Sequence, residues 1–109
     1  MVRATFALFG PDRVILVSDS MMATGMPTGS YKLGDLNVTM KDRKATLEDG
    51  TLAGSATDLY DCMRCAVSFG VPREHAIWAA TRNPAKSIGI YDRVGSLTPG
   101  KEADVLLVD

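Results

Sequence analysis

Arg13-Val14-Ile15-Leu16-Val17-Ser18 carries four consecutive aliphatic residues with no polar alternation, and this segment restricts the possible architecture more than any other. A strand with one wet face alternates apolar and polar residues, whereas a strand covered on both faces has no need to. The run therefore predicts a buried strand of the kind found in parallel α/β sheets, and its C-terminal edge delivers Ser18-Asp19-Ser20. The segment before it, Val2 to Phe9, is apolar nearly all round and stops at Gly10-Pro11, which reads as the end of a helix.

After Asp19 the pattern changes. Met21 to Gly29 mixes glycine, proline and threonine with methionine and predicts a loop. Tyr31-Lys32-Leu33, Leu36 to Met40 and Ala45-Thr46-Leu47 are short alternating segments, separated by Gly34-Asp35, Asp42-Arg43-Lys44 and Asp49-Gly50. That arrangement predicts a meander of hairpins with one wet and one buried face. A helix is expected to begin at Ser55, with Asp58 three residues on, and to run to about Phe69 before Gly70. Pro72 opens a second helix over Arg73 to Arg82, and Pro84 a short third one ending at Gly89. The tail passes through Gly95 to Asp104 as a turn and ends in Val105-Leu106-Leu107-Val108-Asp109, an apolar strand in need of a partner. No repeat or low-complexity segment interrupts this order.

Composition excludes several function classes. The 109 residues are 46% apolar, enough for one small domain with a modest core. Lys and Arg number 12 against 13 Asp and Glu, a formal charge of −1, so nothing electrostatic points to nucleic acid or an anionic membrane. The longest apolar runs fall far short of the ~20 residues of a membrane helix, and the first residues lack the apolar core of a signal peptide. The expectation is a soluble, cytoplasmic protein. Cys62 and Cys65 are too few and too close for a disulfide framework and are read as reduced thiols.

The candidate chemistry is sparse. Asp19 stands just beyond the C-terminal end of the predicted buried strand, where α/β folds place reactive groups; the alternative is a helix cap or loop carboxylate. Leu52-Ala53-Gly54-Ser55 sets a glycine beside a helix start, which leaves amides free and lets a ligand approach closely, although an ordinary capped helix reads the same way. Cys62-Met63-Arg64-Cys65 has the spacing of redox and zinc sites, but it lies in a predicted helix, and His75 is the only other candidate ligand of that type. Structural thiols are the expectation there, and His75 receives no role. Met21, Met22 and Met26 could close over a ligand or fill a core.

Four stretches carry a resemblance: Val14 to Gly25, Gly50 to Ser55, Ala80-Thr81-Arg82-Asn83-Pro84-Ala85, and Gly95 to Asp104. Together they resemble the C-terminal portion of N-acetylglucosamine-6-phosphate deacetylases of the amidohydrolase superfamily, along essentially the whole chain. The last two stretches look like those of many amidohydrolases. Ser18-Asp19-Ser20 with Leu52-Ala53-Gly54-Ser55 at this separation is more particular to the sugar-phosphate deacetylases.

The resemblance implies an α/β fragment of a metal-dependent-hydrolase (β/α)8 barrel beside a small β-sandwich. Residues 1–30 would hold the end of a barrel helix, the last barrel strand and the catalytic loop. Residues 31–53 would be the meander, 54–90 helices, and 91–109 the strand returning to the sandwich. Asp19 would match the aspartate that takes a proton from metal-bound water and passes one to the departing amine. Leu52, Ala53 and Gly54 would touch the substrate, an amino-sugar phosphate, releasing acetate and glucosamine 6-phosphate. A divalent metal, zinc or similar, belongs to the parent enzyme, and a homo-oligomer is the expected assembly.

A barrel of this type takes ~250 residues, and the family's metal ligands, a glutamate and histidines of earlier segments, have no counterpart here. No metal ligands are assigned in this chain, which alone is expected to be inactive. The competing expectations are a fragment of another amidohydrolase and a noncatalytic module that self-associates through its strand edges.

Overall fold

The computed structural model describes residues 1–108. The chain divides into two units, one of Met1–Leu16 with the residues from Met63 onward, the other Val17–Cys62.

In the first unit, α1 (Val2–Phe9) buries Phe6 and is closed by the Gly10 N–H, which donates to Phe6 O at 3.0 Å. Phe6 packs with Val14, Ala66, Val71, Ala76 and Ala79. Ala66 belongs to α2 (Leu59–Ser68), and Ala76 and Ala79 to α3 (Arg73–Ala80). The fully buried alanines give this core closely spaced, small-residue packing rather than large side chains. The last helix, α4 (Arg82–Ser87), begins two residues before the expected Pro84. Asn83, one of its first-turn residues, is 4% exposed and satisfies its burial by donating Nδ2 to Pro11 O and Val14 O, both at 2.7 Å. His75 stacks obliquely on Trp78, their rings 5.2 Å apart, and the Arg82 guanidinium lies 4.0 Å over the Trp78 ring while pairing with Asp12. Gly95 has φ 87°, and a Cβ there would come within 2.9 Å of Ala85 Cβ and 3.1 Å of Thr81 O, so no L side chain fits. Beyond it, Arg93 Nε donates to Glu102 Oε1 at 2.9 Å and Lys101 Nζ donates to Tyr91 O.

The run at residues 14–19 departs from its expectation. It is irregular rather than a paired strand, and Leu16 N–H donates instead to Ala79 O at 2.9 Å. Ile15 and Val17 remain exposed. A strand exists through its ladder, and among the described residues none forms one with residues 14–18. Residues 105–108 differ from the predicted strand for the same reason, with Leu106 83% and Leu107 98% exposed; Asp109 lies outside the described residues.

The second unit is built on an antiparallel sheet in the order β1-β2-β3: β1 (Gly29–Leu33), β2 (Leu36–Lys41) and β3 (Lys44–Leu47). The register pairs Tyr31 with Val38 and Met40 with Ala45. Alternation does what the sequence requires of it. Val38, Met40 and Ala45 are buried with Met21, Ala23 and Ala53, while Thr39 and Lys41 face outward. The turn between β2 and β3 places Asp42 at φ 51° and Arg43 at φ 60°, the paired positive values of a two-residue type I′ hairpin. Arg43 then pairs with Asp61. The helix expected from Ser55 starts later, at Leu59, because Asp58 is its capping residue: Oδ1 accepts the Asp61 N–H at 2.8 Å. Ser55 Oγ instead accepts the Thr57 N–H at 3.0 Å, a local turn ahead of the helix.

Candidate functional site

Two segments more than thirty positions apart meet in the second unit through their backbones. Ser55 N–H donates to Asp19 O at 2.9 Å and Met21 N–H to Ser55 O at 3.3 Å, so that Ser20 and Ser55 form a parallel bridge. On its other side the same segment joins the sheet. Ala53 N–H donates to Ala45 O at 2.9 Å, Leu47 N–H to Thr51 O at 2.8 Å, and Thr46 and Leu52 form an antiparallel bridge. Leu52 to Ser55 is thus a splint that carries the order of β3 to the turn holding Asp19.

Asp19 sits at φ 53°, a left-handed conformation that aspartate tolerates better than most residues but that still requires support. Gly54 lies directly against it. A Cβ at position 54 would stand 3.4 Å from Asp19 O and 3.5 Å from Met21 Cβ, and the φ of 76° disfavours a side chain independently. Ala53 is buried in the core beneath, whereas Leu52 is 64% exposed and Asp19 and Gly54 are both open to solvent. Asp19, Ala53 and Gly54 are therefore held in one small region, with Leu52 projecting from its edge.

Hydroxyls knit the surrounding loop. Thr24 Oγ1 donates to Ser55 O at 2.9 Å and accepts the Met21 N–H at 3.2 Å; Ser20 Oγ donates to Thr57 O at 2.8 Å. The methionines divide between the two readings open to them. Met21 is core, while Met22 and Met26 are exposed. Met26 lines a cavity of about 450 Å3, together with Thr24, Met40, Asp42, Arg43 and Asp61. The charged wall of this cavity, Arg43 with Asp61, escaped sequence reading. A hairpin turn and a helix start gave no sign that they would meet. None of Asp19, Leu52, Ala53 and Gly54 lines it.

Cys62 and Cys65 lie in α2 as free thiols. Among the described residues, no group of three or more His, Cys, Asp or Glu side chains is arranged to hold a metal ion. No described helix is long and apolar enough to cross a membrane.

Known proteins resemble this chain in sequence and fold. Residues 12–109 match the amidohydrolase family. The N-acetylglucosamine-6-phosphate deacetylase of Bacillus subtilis is 38% identical over 111 residues, covering 97% of this chain and 27% of the relative. The N-acetylgalactosamine-6-phosphate deacetylase of Escherichia coli O157:H7 is 37% identical over 99 residues, covering 90% of this chain and 26% of the relative. Among solved structures, a mutant N-acetyl-D-glucosamine-6-phosphate deacetylase from Mycobacterium smegmatis, in complex with N-acetyl-D-glucosamine-6-phosphate, superposes with a TM-score of 0.82 at 34% identity. That match covers 93% of this chain and 28% of the other. The chain spans about a quarter of the length of these relatives. Its small α/β arrangement, a three-stranded antiparallel sheet with helices, matches part of the deacetylase structures.

Proposed function

Because the chain belongs to the amidohydrolase family, we propose that it is the C-terminal portion of a cytoplasmic enzyme that hydrolyses the acetamide of N-acetylglucosamine 6-phosphate. The observation that carries this reading is the backbone pairing of the Asp19 turn with Leu52 to Ser55. It joins a solvent-open carboxylate to a side-chain-free surface at Gly54, which lets a ligand approach the backbone closely. Relatives named for N-acetylglucosamine 6-phosphate, and a solved one in complex with it, support the choice of substrate.

In this reading Asp19 is the proton-transferring group. Water adds to the acetamide carbonyl while its proton passes to the Asp19 carboxylate. The carboxyl returns that proton to the nitrogen as the C–N bond breaks, leaving acetic acid, whose proton passes on to the amine of glucosamine 6-phosphate to give acetate and the ammonium. A carboxylate suits both halves, since it accepts and gives one proton within a single site. Leu52, Ala53 and Gly54 contact the sugar phosphate. In the complete enzyme a divalent metal would supply Lewis acidity, held by ligands from the remainder of the barrel, of which Arg13 to Ser18 would be the last strand and residues 91–109 the return to the sandwich. The chain alone is inactive.

The test is a chimera in which this chain replaces the matching quarter of the Bacillus subtilis deacetylase, assayed for acetate release with excess divalent metal. The chimera is expected to be active and its Asp19→Asn variant to lose about 10²- to 10⁴-fold in kcat. An Asp19→Asn chimera as active as the unsubstituted one would remove Asp19 from the mechanism. Assaying the galacto epimer in parallel decides which sugar is preferred, a choice the relatives leave divided.

A further inference from the structure

The residues on either side of Asp19 are tied to each other. Ser20 Oγ lies 2.8 Å from Ser18 Oγ and 2.8 Å from Thr57 O. The Ser20 hydroxyl is the donor in both contacts, so its single proton is shared between Ser18 Oγ and Thr57 O. The result is a bridge between the Ser18 and Ser20 hydroxyls that closes a small ring across Asp19 and is anchored on the Thr57 carbonyl. Such a ring restrains rotation about both backbone bonds of the residue it spans. Asp19 is also the residue in the second unit's first turn whose φ, 53°, most needs restraint. Its carbonyl is held separately by the Ser55 N–H at 2.9 Å.

We propose that Ser20 is a positioning residue for Asp19: its hydroxyl, linked to Ser18 and anchored on Thr57, holds Asp19 in the left-handed conformation that presents its carboxylate. The assignment deepens the hydrolytic reading and rests on it for its purpose. Its test is conformational, so the two fail separately. An active Asp19→Asn chimera sinks the hydrolytic reading and leaves the conformation of Asp19 to be decided on its own.

The experiment is NMR on the 109-residue chain and its variants, reading three quantities. These are the strong intraresidue amide–Hα NOE and φ-dependent couplings that mark a positive φ at Asp19, the exchange rate of the Ser55 amide, and the Val38 and Ala45 amides as a control on the core. Ser20→Ala is expected to lose the positive-φ signature and to speed Ser55 exchange about fivefold, with the core amides unmoved. Ser20→Thr, which keeps the hydroxyl, is expected to retain both. Where Ser20→Ala disturbs the core amides, Ser18→Ala replaces it, cutting the ring while leaving the Thr57 anchor. The proposal is overturned if the variant that opens the ring keeps the Asp19 signature and native Ser55 exchange, or if Ser20→Thr loses them with the core intact.

Discussion

Residues 36–47 and residues 105–108 both carry strand-forming residues, yet only the first makes a sheet. In the meander, Val38 and Met40 are 1% and 3% exposed, buried in one core. In the tail, Leu106 and Leu107 are almost wholly exposed. The contrast is not one of propensity, since Val105 and Val108 are as good strand formers as any residue of β2. It lies in what sits alongside. Hairpin turns supply β2 with neighbours at close range in sequence, whereas the tail has no such neighbour among the described residues. A strand is a relation between segments, and the part of it legible in one segment is its willingness to pair.

Four substitutions test that contrast. The largest effect is expected from Val38→Asp, which puts an unpaired charge into the sheet core and should lower stability by about 3 kcal/mol or more in urea unfolding followed by circular dichroism. A loss below about 1 kcal/mol would mean the meander core is open to water. Next comes Gly54→Ala, expected to cost about 1–3 kcal/mol because it combines an unfavourable φ with contact on Asp19 O. If stability holds and the Asp19 amide does not shift, the splint is looser than its geometry implies. Leu106→Ser with Leu107→Ser should change stability by less than about 0.5 kcal/mol, as exposed side chains do. A loss above about 1 kcal/mol would reveal a packing partner for the tail and dissolve the contrast altogether.

The smallest effect concerns the Asp49 carboxyl. The Thr51 backbone N–H, donated to Oδ1 at 2.9 Å, holds it below the usual carboxylate value, helped by the Thr51 side chain. A depressed folded pKa contributes stability that is present above the unfolded value and is lost as pH falls through the folded one. The Thr51 amide shift should therefore titrate below the ordinary carboxylate range, and Asp49→Asn should abolish that titration. A midpoint at the ordinary value would contradict the hydrogen bond.

Much of the second unit could be read from residue order alone. The hairpin breaks at Gly34-Asp35 and Asp42-Arg43, the alternation of β2, and the helix stop near Gly70 all express local chemistry that neighbouring residues reveal. Resemblance singles out Asp19, Leu52, Ala53 and Gly54 as candidates, and the closeness of Asp19 to Ala53 and Gly54 follows from backbone pairing that no periodicity signals. The helix start was misplaced because Ser55 and Asp58 are both competent caps, and only the geometry decides that Asp58 takes the helix while Ser55 turns the chain before it. The left-handed backbone of Asp19 and Arg43 left no trace in composition, since neither is glycine. The burial of Asn83 leaves no mark in its local sequence, since it depends on two carbonyls some seventy positions away.

Asn83 also bears on how this protein ages. Asparagine deamidates mainly when the next residue's backbone nitrogen attacks the side-chain amide to form a succinimide. Conversion of Asn83 to aspartate would set a carboxylate against the Pro11 and Val14 carbonyl oxygens, turning two attractions into two repulsions inside a buried pocket. The residue that follows is Pro84, whose nitrogen carries no proton and cannot serve as that nucleophile. The amide that ties α4 to residues 11–14 is thus shielded by its sequence context from this route of deamidation.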